Sequence, residues 1–224
     1  MREDDVLGPH GAERADESAD DAFYAEPRMV AHLDEWAIAE TMDFYRVLLA
    51  PLPPAAHVLD LMSSRYSHVP DDVPLGEVVG LGLNAEELAE NRQLTRWVIH
   101  DLNREPRLPF VDGSFDAVLN TVSVQYLTRP VAVFRDVARV LKPRAPLAVL
   151  FSDRMFATRA IRAWRERGNQ QRLELVQAYF AATGAFEDIE VTVRPGRKLR
   201  GLWSGHGDPL FAVTGRRRVN WPAD

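Results

Sequence analysis

The sequence predicts an α/β protein built on a doubly wound, mostly parallel seven-stranded sheet, with an antiparallel strand at its carboxyl end and a helical cap at its amino end. Three observations lead there. Seven short apolar runs (HVLDL, EVVGL, RWVIHD, FDAVLN, PLAVLF, DIEVTVR and PLFAVTGRR) have the hydrophobicity of buried strands. Helical or turn segments separate the first six, which implies parallel neighbours covered on both faces. No helix separates the last two, so that pair is expected to run antiparallel.

Each element follows in chain order. The leader MREDDVLGPHGAERADESADD lacks periodicity and aromatic residues, so residues 1–21 are expected to form a disordered acidic tail. From Pro27 to about Leu49, apolar residues recur at helical spacing, Met29, Leu33, Trp36, Tyr45 and Leu48 among them; Pro27 suits a first turn. This predicts a helical cap over residues 22–54, ended by PLPPAA. Residues 55–218 hold the strands and the helical segments NAEELAENRQL, TRPVAVFRDVARVL, RMFATRAIRAWRERG and QQRLELVQAYFAATG. Residues 219–224 remain as a short tail.

Composition narrows the function classes. The chain has no cysteine, which excludes disulfides and thiolate metal sites, and the scattered histidines suggest no metal centre. Residues 1–21 carry eight acids and two bases, which accounts for the whole net charge of −6. The remainder is formally neutral and gives no electrostatic case for nucleic acid. No apolar run is long enough for a membrane span and no signal peptide opens the chain, so a cytoplasmic protein with a small-molecule partner is expected, as a monomer or a homodimer.

Ligands of open parallel sheets bind beyond the carboxyl ends of the strands. That rule directs attention to residues 60–68, 80–84, 100–103 and 120–126. With these strand ends in order, the chain resembles the class I S-adenosylmethionine-dependent methyltransferases of the type 11 kind over roughly residues 50–215. VLDL resembles the strand before the glycine-rich loop, and EVVGLGLNAEEL the second strand with its following helix. VIHDLNREPRLPFVDGSFDAVLN resembles the third and fourth strands, and VFRDVARVLKP the helix leading to the fifth. Closer still is a branch of that family with DLMSS in place of the glycine-rich loop, matched here by DLMSSRYSHVP, SVQYL, DRMF and FYAEPR.

The resemblance implies a Rossmann-like fold, S-adenosylmethionine as cofactor and methyl transfer to a small molecule. It points to Asp60, Met62, Ser63, Ser64, Arg65, Gly82, Asn84, Asp101, Leu102 and Asn120 as the cofactor's surroundings. Asp101 and Leu102 match the adenine position, and Asn120 the methionine amino group. Three departures stand out. Met62, Ser64 and Tyr66 occupy glycine positions, Gly82 replaces the acid that binds the ribose, and KPRAPL replaces a Lys-Pro-Gly-Gly turn. Ser63 and Ser64 hydroxyls with the Arg65 charge are expected to hold a carboxylate, and Asn84 to take one ribose hydroxyl or cap a helix.

An acceptor that keeps its proton needs a base, and His68, His32 and Tyr126 are the candidates. Tyr24, Arg28, Gln125, Arg154 and Phe156 are expected to face the acceptor, with Arg28 and His32 four apart on one helix face. Two other readings compete. A methyltransferase-like fold that has lost its cofactor would serve as a scaffold or subunit. Alternatively, Gly80, Gly82 and Ala85 with Asp101 have the spacing of an NAD fingerprint, although VLDL already occupies the first strand.

Overall fold

The structure, a computed structural model, describes residues 2–196 and 207–222. In chain order its elements are α1 (Glu3–Leu7), α2 (Asp20–Phe23), α3 (Glu35–Leu49), β1 (Ala56–Leu61), β2 (Leu75–Gly82), α4 (Ala85–Ala89) and β3 (Arg96–Ile99). There follow β4 (Ala117–Thr121), a 3-10 turn at Val124–Tyr126, α5 (Pro130–Val140), β5 (Pro146–Phe151), α6 (Arg162–Arg165), α7 (Asn169–Thr183), β6 (Phe186–Arg194) and β7 (Leu210–Arg217). The sheet has the order β3-β2-β1-β4-β5-β7-β6. β1 to β5 are parallel, and β7 runs antiparallel to both β5 and β6.

Strand periodicity divides the core into two layers. Leu59 and Leu61 of β1 pack with Val118, Phe134, Val137, Tyr179 and Phe180, under α5 and α7. Val58, one residue before Leu59 and so on the opposite face, packs with Tyr45, Leu49, Leu119 and Leu150, under α3. Each such buried side chain contributes roughly 1.5–3 kcal/mol. The sheet is therefore doubly wound, and its central strands β1 and β4 meet where the chain reverses its winding.

Two expectations are corrected. The cap helix α3 begins at Glu35, not Pro27, because the Asp34 side chain accepts from the Ala37 N–H at 2.8 Å and fixes the first turn there. Arg28 and His32 thus lie on an extended approach rather than a helix face. Residues 2–21, expected as a disordered tail, pack against the domain. The Glu3 carboxylate accepts from the Val131 and Ala132 N–H groups at 3.1 and 2.8 Å, at the amino end of α5. Leu7 joins the core. Arg159, fully buried, donates to Asp16 O, Ser18 O and Asp20. In the short carboxyl tail, Trp221 packs on the core, while residues 223–224 lie outside the described residues. Among the described residues no helix is long and apolar enough to cross a membrane, and no group of three metal-ligating side chains gathers.

Candidate active site

The loop after β1 takes an unusual path. Met62 and His68 have φ of 60° and 56°, and Val122 at the end of β4 has φ of 45°. All three are in the left-handed region that glycine adopts freely and that costs other residues about 1–2 kcal/mol. They surround one site, as strained residues at functional sites do. Met62 thus keeps the backbone conformation of a glycine loop without its glycine. Asp60, buried at 2% exposure, organises the turn by accepting from the Ser63 and Ser67 hydroxyls at 2.5 and 2.6 Å. The Ser63 N–H donates to Leu81 O at 2.7 Å, which lays the loop across the end of β2.

Beyond the strand ends lies a cavity of about 690 Å3, within the usual size of small-molecule sites. Its floor comprises Asp60, Met62, Ser63, Gly82, Asp101 and Leu102. Its roof is the approach to α3: Tyr24, Arg28, Val30 and His32. His68, Tyr126, Arg154 and Phe156 complete the wall. Three ties fasten the roof. Asn84 donates to Tyr24 O and Ala25 O, and the Arg28 N–H donates to Glu87 at 2.7 Å. Asp20 accepts from Asn103 at 2.8 Å.

Burial sets the protonation of the wall. It pushes the Asp60 carboxyl up to about 7, against the lowering pull of its two serine bonds. It pushes the His68 imidazole down to about 4 and lowers that of His32, so both rings are neutral at physiological pH. It raises the Tyr24 and Tyr126 phenols, which stay protonated. Asp60 and Glu87 are buried and, among the described residues, bond to hydroxyl and backbone N–H donors and to no cationic side chain.

Several sequence-predicted residues serve the scaffold. Arg65 turns away from the cavity to Glu90, at 3.3 Å, so it supplies no charge inside. Asn120 does not line the cavity either; it bonds Leu61 O and Ser123 Oγ, tying β1 to β4, while its Oδ1 stays buried without a partner. Gln125 is also outside, 1% exposed and bonded to Val122 O. Asn84 lines the wall but is spent as the cap of α4, accepting from the Glu86 and Glu87 N–H groups. Asp101 Oδ1 accepts from the Asn103 N–H at 2.9 Å and closes its own turn. The Tyr126 hydroxyl accepts from the Phe156 N–H, and Arg154 pairs with Asp208 at 2.6 Å.

Glu87 and Asp20 also build the site, though sequence reasoning did not place them there, together with Asn103 from the expected 100–103 strand end. Glu87 holds Ser64 and Arg28 together from the first turn of α4, where an acid reads simply as a helix-dipole partner. The NAD fingerprint fails on geometry. Gly80 and Gly82 lie within β2, paired with Trp97 and Ile99 of β3, and form no phosphate-binding turn.

A doubly wound seven-stranded sheet with a ligand-sized cavity over β1, β2 and β4 is the architecture of class I methyltransferases. Residues 63–149 match the family model described as a methyltransferase domain. No curated protein sequence matches the chain. Solved structures share the fold at low identity. The YcgJ protein from Bacillus subtilis has a TM-score of 0.56 at 14% identity, covering 83% of this chain and 99% of its own. A SAM-dependent methyltransferase from Thermotoga maritima has 0.55 at 14%, with 82% and 92% covered. The [4+2]-cyclase SpnF has 0.56 at 16%, with 89% and 92% covered.

Proposed function

We propose that the chain transfers the methyl group of S-adenosylmethionine to a small molecule bound beneath the Tyr24–His32 roof. The observation that carries this reading is the convergence of carboxylates without cation partners and neutral histidines on one cavity at the strand ends. The donor set fits the cofactor. Asp60, Glu87 and Asp101 line the cavity, no cationic side chain of the described residues pairs with them, and a ligand bearing a sulfonium, an ammonium, hydroxyls and an amine offers what they accept.

Asp60, Met62, Ser63, Ser64, Gly82, Asp101 and Leu102 would hold the cofactor. When bound, it supplies an electrophilic methyl group. Glu87 is the cavity-lining acid nearest in sequence to Gly82, where the family's acid is missing. The roof excludes water and orients the acceptor, and positioning is the main demand of an in-line displacement. His68 and His32, neutral and without hydrogen-bond partners among the described residues, are available to take a proton from a hydroxyl acceptor.

The test is transfer of labelled methyl from S-adenosylmethionine into a small-molecule extract. Label is expected in an extractable product, and His68→Asn should slow transfer to a hydroxyl acceptor by about 10²-fold. Cofactor binding with no label passed to any small molecule would instead make the domain a scaffold.

A further inference from the structure

We infer that the methyl acceptor is a planar acid whose carboxylate is held by Arg28, an assignment that rests on the methyl-transfer reading above. Two arginines line the cavity. Arg154 is closed by Asp208, whereas Arg28 meets no carboxylate of the described residues within ion-pair distance. Its Nη2 donates to Phe23 O at 3.1 Å, and its buried Nη1 has no acceptor among the described residues. A charge left open on a half-buried wall is costly unless a ligand completes it. That charge reaches the surrounding groups: it lowers the proton affinity of His32, Tyr24 and Tyr126.

The surroundings define the rest of the ligand. The guanidinium packs over the rings of Phe23, Phe156 and Tyr24, with centroids 4.5, 5.2 and 5.4 Å away. These contacts fix its position without neutralising it. Phe156 and Tyr126 stack at 6.0 Å with planes 28° apart, presenting flat apolar surface beside the cation. A ring with one carboxylate matches both features, since a planar guanidinium recognises a carboxylate through paired bonds. The opposite wall favours the same orientation. Asp60, Glu87 and Asp101 repel an acid from the floor and, among the described residues, leave Arg28 of the roof as its only cationic contact beside the paired Arg154. A doubly charged phosphate would meet a single unpaired cation and that acidic floor.

The experiment is calorimetric titration of the full chain with naphthalene-2-carboxylate, indole-3-carboxylate and their primary amides, each with and without S-adenosylhomocysteine. The acids are expected to bind at least tenfold tighter than the amides. Arg28→Gln should abolish that preference, and Arg28→Lys should retain part of it. Raising the salt concentration on the unaltered chain should weaken the acids and spare the amides, a readout that does not depend on how the variants fold. Equal binding of acids and amides, or no binding of either, overturns the assignment. S-adenosylhomocysteine binding is read separately in the same titrations, so loss of the cofactor reading is distinguishable from loss of the acceptor assignment.

Discussion

The carbonyl oxygen of Ser63 lies 2.3 Å from the position a Cβ on Gly82 would occupy. The loop after β1 and the glycine ending β2 are therefore one structural unit. One departure from the family pattern, the missing acid at residue 82, thus has a steric cause in the path of the loop. Restoring the acid should consequently harm the protein. Gly82→Asp is expected to cost about 2–3 kcal/mol of stability, read by urea unfolding, and to leave cofactor affinity no better. An unchanged stability with tighter binding would contradict this path for the loop.

Met62 tests the same loop from its backbone. Its side chain packs on the core while its φ is 60°. Alanine would lose the packing and keep the strain, whereas glycine would lose the packing and relieve it. Met62→Gly is expected to be more stable than Met62→Ala by about 1 kcal/mol, the reverse of the usual order. Thermal melts of the two variants decide it.

Asp60 and His68 give opposite pH dependences. Burial raises Asp60 from 3.8 to about 7, so its contribution is complete below 3.8 and is lost as the pH rises through about 7. Burial lowers His68 from 6.5 to about 4, so its contribution is complete above 6.5 and is lost as the pH falls through about 4. Between pH 4 and 6.5 the two slopes oppose each other. In that window the melting temperature of Asp60→Asn should rise with pH more steeply than in the unaltered chain, and that of His68→Asn should fall. Asparagine suits the positive φ at residue 68. Identical profiles in all three proteins would refute these assignments.

The amino-terminal segment is held by a buried ion pair. Arg159 is fully buried and Asp20, 6% exposed, also accepts from Arg14 at 2.6 Å. Removing the carboxylate leaves two arginines short of it. Asp20→Ala is expected to cost about 3–5 kcal/mol or to release the segment, seen as new protease cleavage within residues 8–24. Resistance equal to that of the unaltered chain would mean the segment is held elsewhere.

Much of this fold was legible in the sequence because its signals are local. The apolar runs marked all seven strands, and a helix-free link marked the antiparallel pairing of β6 and β7. What escaped depends on tertiary partners. The acids of residues 1–21 read as a disordered tail, yet Glu3 is satisfied by the amino end of α5 and Asp20 by Arg159. Composition cannot show such pairing. At the site, motif positions located the loop, Gly82 and Asp101, but not the direction of a side chain. Arg65, Asn120 and Gln125 sit in the expected loops and turn elsewhere, whereas Glu87 enters from a helix that spacing alone reads as capped.

The central claim is that this altered loop still encloses S-adenosylmethionine, and calorimetric titration with that ligand, using NAD as control, tests it most directly. The account expects micromolar binding of S-adenosylmethionine alone, weakened at least tenfold by Asp60→Asn, which exchanges the floor carboxylate for a neutral isostere. No heat together with an unchanged melting temperature, or binding of NAD in its place, would contradict it.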